Sequence, residues 1–284
     1  MLKIKTILNE IFSNLQLIWA VARYNNKATF QGHYFGLAWE ILNPLITISL
    51  YFFVFGAIRG NRNVSIGTVF DGSSGNYYDI SVQFLPWMLV GMTAWLFMNR
   101  ATVSGSMSVQ RKLGLVSKMK FPISIIPAMD IAGKLMAYFV TAVIVAIIVI
   151  AFGFIPTLYW LQYIYYLVAM LVFIYFFALL NSTLTITFPD YQQILRPIMR
   201  LFFWFSGVIW RIHEMATVPE WLVRMMDLNP FSYILTGFRN SFFSNVFFWE
   251  HWETTLFFWL LTLLIAIISS YLHLKLRSKF IDLV

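Results

Sequence analysis

Apolar residues in this chain fall into long runs separated by short polar and basic stretches. A helix that crosses a bilayer needs about 20 mostly apolar residues. That criterion predicts spans over about 35–58, 80–99, 132–153, 158–185, 193–210 and 254–274. The first carries Glu40 and Pro44 near its start, and the second is uncharged between Asp79 and Arg100. No charged residue or histidine lies between Leu135 and Pro189, a run too long for one helix and right for two. Gly153-Phe154-Ile155-Pro156-Thr157 supplies the turn between them. The fifth run is the weakest, because Arg196 and Arg200 interrupt it.

The segments between the runs differ in kind. Leu8, Ile11, Phe12, Leu15, Ile18, Trp19 and Ala22 recur at helical spacing and make one apolar face. Residues 7–22 therefore read as an amphipathic helix lying in the membrane interface, packed on a partner, or both. Lys3, Lys5 and Ala20-Val21-Ala22 imitate a signal peptide, but Asn9, Glu10, Asn14 and Gln16 break any continuous apolar core of one. Residues 59–79 are rich in Gly, Ser, Asn and Asp and read as a flexible loop. Residues 211–253 keep Trp221, Leu222, Phe231, Phe242, Phe243 and Trp249. They are too apolar for a free loop and too interrupted for a full span, so short interfacial or re-entrant helices are expected. A membrane-surface cap with no part in transport is the plainer alternative. The expected fold is all-α: one polytopic membrane domain over residues 1–284, with six transmembrane helices.

Composition narrows the class. Of 284 residues, 60% are hydrophobic, 19% aromatic and only 11% charged. A soluble domain runs nearer ~45–50% apolar and ~25% charged, and this chain folded in water would expose large apolar patches. An ordinary soluble enzyme and a disordered chain are excluded. The absence of cysteine excludes disulfides and thiolate metal sites.

The net charge of +8 changes the picture through its distribution. One side of the predicted membrane carries Lys3, Lys5, Arg23, Lys27, Arg100, Arg111, Lys112, Lys118, Lys120, Lys134, Arg196, Arg200, Lys275, Arg277 and Lys279. The other carries Arg59, Arg62, Arg211, Arg224 and Arg239. The positive-inside rule places both termini in the cytoplasm, and the charge reads as a membrane signal rather than one for nucleic acid.

Catalytic chemistry is poorly supplied. Gly133-Lys134-Leu135 lacks the hydroxyl residue and the first glycine of a phosphate-binding loop. His33, His213, His251 and His273 show no paired ligand spacing. Glu40, Asp130 and Asp190 are the carboxylates near membrane depth. A secondary carrier needs ionisable groups inside its spans, and a membrane glycosyl- or phosphotransferase needs an acid, base or metal cluster. Energy for transport is therefore expected from a separate subunit.

The second cytoplasmic loop, residues 101–134, sets small and polar residues ahead of a basic cluster beside Phe121-Pro122 and Pro127. It reads either as a lipid-binding positive loop or as a docking element for a motor. Here five stretches make the chain resemble the ABC-2 type transport permeases of the polysaccharide-export group, and within it the teichoic acid permeases of Gram-positive bacteria. They are His33-Tyr34-Phe35-Gly36-Leu37-Ala38-Trp39-Glu40-Ile41-Leu42-Asn43-Pro44; Val116-Ser117-Lys118-Met119-Lys120-Phe121-Pro122 with Ile126-Pro127; Asp190 through Trp210; Leu228-Asn229-Pro230 with Arg239; and His273-Leu274-Lys275-Leu276-Arg277 through Phe280. One departure is Phe188-Pro189 ahead of Asp190, where relatives usually carry a basic residue.

The resemblance implies a homodimer with two ATP-binding cassette subunits in the plasma membrane of a Gram-positive bacterium. No cofactor would be held by this chain; ATP and magnesium would sit on the partner. The cargo implied is a lipid-linked polyol-phosphate or glycan, wall teichoic acid first, with O-antigen or capsular polysaccharide as the alternative. Gly105, Ser106, Ser108, Gln110, Arg111, Lys112, Leu113 and Gly114 would couple to the motor. Arg111, Lys112, Lys118 and Lys120 would meet the lipid pyrophosphate, or only lipid and motor. Arg23, Lys27 and Glu40 would stand at the cytoplasmic entrance, and Trp39, Tyr51, Phe202, Phe203, Trp204 and Phe205 would line the path. A stand-alone flippase is the less favoured reading.

Overall fold

The computed structural model describes residues 2–29, 34–36, 38–59, 64–71, 76–116, 121–210 and 219–280. In chain order the elements are α1 (Leu2–Ser13), α2 (Leu15–Thr29), α3 (Ala38–Arg59), β1 (Val64–Asp71), β2 (Asn76–Val82), α4 (Phe84–Ser106) and α5 (Ser108–Val116). They continue as α6 (Ile125–Ala151), α7 (Gln162–Thr187), α8 (Tyr191–Phe205), α9 (Glu220–Asp227), α10 (Pro230–Phe243) and α11 (Trp252–Leu276). Short 3-10 turns precede α7 and follow α11.

Helix α4 is the hub. It packs on α6, α7, α10, α3 and α8 and is buried along most of its length. Among the described residues three helices, α6, the α7 helix with its preceding turn, and α11, are long and apolar enough to cross a membrane. Their outward faces (Val143 and Ile147, Ile164 and Val168, Leu260 and Leu264) are exposed, as a lipid-facing surface requires. The chain is a membrane protein with a helical fold.

Three sequence boundaries are corrected. The predicted loop at 59–79 is a two-stranded antiparallel hairpin, with Val64 opposite Val82 and a bulge between Ser65 and Gly67. The β-branched and aromatic residues of Tyr77-Tyr78-Asp79-Ile80-Ser81-Val82 favour strand, so α4 starts at Phe84 rather than at residue 80. Val64 and Val82 are buried against the helical core at the base of the hairpin. Helix α6 begins at Ile125 rather than at residue 132, because Pro127 sits in its first turn, where a missing N–H costs nothing.

The third correction concerns the predicted fifth span. Helix α8 has 15 residues and stops at Phe205. At 1.5 Å per residue it is about 22 Å long, short of the ~30 Å hydrocarbon thickness. The chain turns at Gly207, whose φ is +63°, and a Cβ there would come within 2.9 Å of the Trp210 carbonyl. The chain returns as α9 and α10. Asn229 caps α10 by accepting from the Phe231 N–H at 3.0 Å, with Pro230 in the first turn. Phe231, Ile234, Leu235 and Phe238 are buried against α4, α7 and α11, so α10 packs into the helical bundle.

Buried irregular backbone must find its hydrogen-bond partners within the protein. Arg239 of α10 does this for the break after α8. It donates to the carbonyls of Gly207 (2.8 Å), Val208 (2.6 Å) and Trp87 (3.3 Å). Its guanidinium lies 3.4 Å from the centre of the Trp87 ring. Gly91 leaves the room that this guanidinium fills.

The amphipathic segment is two helices rather than one. At Asn14 the chain breaks, and its side-chain amide donates back to the Glu10 carbonyl at 2.7 Å. The apolar face is packed within this chain: Ile18 and Ala22 sit against Ile125, Met129 and Ala132 of α6, and α1 lies on α11. Phe12, Leu15 and Trp19 stay exposed at its edge. Glu10 accepts from Arg277 at 3.0 Å and from Ser124, and Lys3 lies 3.9 Å over the Tyr271 ring. A half-exposed pair of this kind is worth about 1 kcal/mol or less. Arg277→Ala is expected to raise amide exchange in residues 2–13 several-fold without unfolding the bundle. Unchanged exchange there would show that Glu10–Arg277 does not hold α1.

Candidate functional site

The junction of α4 and α5 brings polar groups onto the helical bundle. Ser108 Oγ donates to the Gly105 carbonyl at 2.6 Å. Ser106 Oγ donates to Gln192 Oε1 of α8 at 2.6 Å. A Cβ on Gly105 would come within 2.9 Å of Ala178 on α7, so the glycine sets the close approach of α4 and α7. Arg111 reaches back to the end of α4, donating from Nη2 to the Ser104 carbonyl (2.7 Å) and hydroxyl (2.9 Å). A cation at the C-terminal carbonyls of α4 also complements the helix dipole.

These contacts divide the predicted coupling segment. Gly105, Ser106 and Ser108 are buried at the junction of α4 and α5, where Gly105 meets α7 and Ser106 meets α8, whereas Gln110, Arg111 and Gly114 are exposed. Leu113 is helical, and its side chain lies outside the described residues. Lys112 has a buried Nζ with no hydrogen-bond partner among the described residues. Burial pushes its pKa down, Asp130 pulls it up, and Lys134 and Arg111 add to the lowering. Lys118 and Lys120 lie outside the described residues.

Beside α5 is a cavity of about 310 Å³. Asn25 and Asn26 of α2, Asn43 and Pro44 of α3, and Thr93, Phe97, Arg100 and Ser104 of α4 line it. Arg111 of α5 and Asp130, Gly133, Lys134, Tyr138 and Thr141 of α6 complete the wall. Among the described residues Asp130 is the sole carboxylate of the lining. It accepts from Lys134 at 2.7 Å, one turn along α6, and from Ser104 at 3.0 Å. Asn26 donates to the Gly133 carbonyl at 2.7 Å, and a Cβ on Gly133 would press on Asn26 at 2.9 Å. The cavity is thus basic, with Arg100, Arg111 and Lys134 around one acid.

The remaining predicted residues are spread. Arg23 and Lys27 are exposed on α2, flanking the two cavity asparagines. Glu40 lies in α3, and its side chain is outside the described residues. Trp39 meets Phe35 edge-on at 5.7 Å. Phe203 is buried between Tyr51 (5.5 Å) and Trp95 (5.7 Å), and Phe202 packs on Phe231 at 5.0 Å. Trp204 is exposed beside Trp210, at 4.7 Å, and Phe205 is half-buried. Among the described residues no group of three or more acidic or histidine side chains could hold a metal ion.

Arg100, Ser104 and Asn26 were not marked by sequence motifs. The signal available was Asp130 and Lys134 at helical i,i+4 spacing, a pairing that buries together what neither could bury alone.

Comparison with known proteins bears on what such a bundle is. The profile of the ABC-2 type transporter family matches residues 16–243. The O-antigen export system permease protein RfbA of Myxococcus xanthus is 20% identical over 241 residues, covering 84% of this chain and 85% of its own. Its namesake in Klebsiella pneumoniae is 19% identical over 283 residues, covering 99% of each chain. With most of its length inside the family profile, the chain belongs to the ABC-2 type transporter family, as a membrane permease that works with an ATP-binding partner and has no ATPase site of its own.

Proposed function

We propose that this chain is the permease of an ATP-driven exporter that moves a lipid-linked polysaccharide from the cytoplasmic to the outer face of the plasma membrane. The observation that carries the reading is the family match over residues 16–243, joined to relatives named for O-antigen export that align along nearly the whole chain. Those names favour an O-antigen-type polysaccharide over the wall teichoic acid that the sequence motifs suggest. Two copies would work with two ATP-binding subunits, which carry ATP and magnesium, with both termini in the cytoplasm.

The architecture suits the role. Helix α5 is a short element packed on α4, α6 and α7, so a push on it reaches the bundle as a body movement. Affinity isolation of the tagged chain from gently solubilised membranes should bring down an ATP-binding subunit whose turnover depends on this chain. Isolation of this chain as an active transporter without an ATPase would overturn the reading.

A further inference from the structure

We propose that Phe280 is a positioning residue for energy coupling: it wedges α5 in place, so that a push on α5 moves the bundle instead of the helix alone. The inference rests on the permease reading above for the existence of that push, and on the packing around Phe280 for the residue that transmits it.

Helix α5 has few means of its own to stay in place. Its nine residues, Ser108–Val116, are too few to hold a helix in isolation, where about 12–15 are marginal. Among its described residues Val109 is the one buried hydrophobic side chain. Its surroundings come from far along the chain: Ile126 of α6, Ile186 of α7 and Phe280 form one buried cluster with it. Phe280 is 0% exposed and is the largest side chain of the four.

The turn that carries Phe280 is braced on several sides. The Phe280 N–H donates to the Arg277 carbonyl at 3.4 Å, which closes a short turn at the end of α11. The ring meets His273 edge-on at 5.6 Å, and His273 Nδ1 lies 3.1 Å from Thr183 Oγ1 on α7. Arg277 reaches the other way, to Glu10 of α1 at 3.0 Å, and Glu10 also accepts from Ser124 just ahead of α6. Phe280 thus stands on a fixed base rather than on a loose segment: α1, α6 and α7 hold the turn, and the turn holds α5. Close-packed interiors transmit displacement because they compress little. Phe280→Ala leaves a void beside Val109, into which α5 can settle when it is pushed.

The test compares transport with ATP turnover in the complex of this chain and its ATP-binding partner, reconstituted in vesicles with a labelled lipid-linked polysaccharide. Phe280→Ala should assemble and hydrolyse ATP, while the sugar moved per ATP hydrolysed falls several-fold, the scale on which packing changes between coupled sites act. Amide exchange in residues 108–116 should rise with it, and exchange in α4 and α7 should stay as in the wild type. Phe280→Leu removes less of the side chain and should show smaller changes of both kinds. It carries the comparison if the alanine variant does not assemble. Phe258→Ala is the control for lost stability. Phe258 is 1% exposed on α11 and lies in the main core, outside the Phe280 cluster. A cavity of similar size there should lower the thermal midpoint and leave the sugar moved per ATP unchanged. An unchanged ratio in Phe280→Ala, or in Phe280→Leu where the alanine variant does not assemble, overturns the positioning role. An equal fall in Phe258→Ala overturns it as well. A wild-type complex that moves no sugar with ATP, or this chain moving it alone, overturns the permease reading instead, and exchange in residues 108–116 then still decides whether Phe280 seats α5.

Discussion

Arg239→Ala is expected to destabilise the bundle by about 3–5 kcal/mol, the scale of breaking a buried charged network. The side chain is 7% exposed, and its three donors serve the carbonyls of Trp87, Gly207 and Val208. Alanine leaves the last two without this donor at the buried break after α8. Total stabilities are on the order of 5–15 kcal/mol, so a loss of this size takes much of the margin. Arg239→Lys should recover little, because one ammonium cannot span carbonyls on two segments and stack on Trp87. Gly91→Ala should act in the same direction by driving a methyl group into the guanidinium. Thermal unfolding of the solubilised protein reads all three. An Arg239→Ala midpoint equal to wild type would show that the clip carries no load.

The second large effect is expected at the crossing of α10 and α7. A Cβ on Gly237 would overlap the ring of Tyr166, which is 4% exposed and also touches Tyr233 at 5.6 Å and Phe238 at 6.3 Å. Gly237→Ala must therefore push α10 out of its seat or force the ring from its rotamer, at about 1–3 kcal/mol or more. Tyr166→Ala alone opens a cavity and should cost about 3–5 kcal/mol. In the double variant the new methyl group occupies part of that cavity, so the combined loss should fall clearly below the sum of the two. Additive losses would mean that Gly237 and Tyr166 are not in the contact described. Because Phe238 and Arg239 follow directly on α10, Gly237→Ala should also weaken the clip to Gly207 and Val208.

How much of this was legible follows from what each feature depends on. The long helices rest on local apolar runs, so α6, α7 and α11 are readable from hydropathy, and Gly153 marks their turn with a φ of +94°. The packing of α10 was readable in kind, because a segment with Phe231, Phe242 and Arg239 suits neither a free loop nor a simple span. The hairpin was hidden because Gly67, Asp71 and Asn76 dilute the alternation of Val64–Asp71 and Asn76–Val82, and a composition rich in turn residues outweighs strand propensity on paper. The stop of α8 had a signal in Ser206-Gly207, but the aromatic run before it masks the stop.

The cavity was the least legible feature. Its lining comes from α2, α3, α4, α5 and α6, and its charged groups Arg100, Arg111, Asp130 and Lys134 come from three of these helices. Arg111 and Lys112 are conspicuous as a basic pair, yet they differ in setting: Arg111 is exposed and reaches Ser104, whereas the Lys112 ammonium is buried within reach of Asp130 and Lys134. Asn25, Asn26 and Asn43 were uncharged and therefore silent in a reading led by charge. Asparagines close to membrane depth need partners, and that requirement is the clue that a sequence reader could have used.

The central claim is that this chain provides the membrane path and a separate ATPase provides the energy. Its most direct test is reconstitution of the purified chain, with and without its ATP-binding partner, into vesicles carrying a labelled lipid-linked polysaccharide. Appearance of the sugar on the far leaflet is followed with a membrane-impermeant glycosidase. The account predicts movement that requires this chain, the partner and ATP together. Movement at the same rate by this chain alone, without ATP or partner, would contradict it.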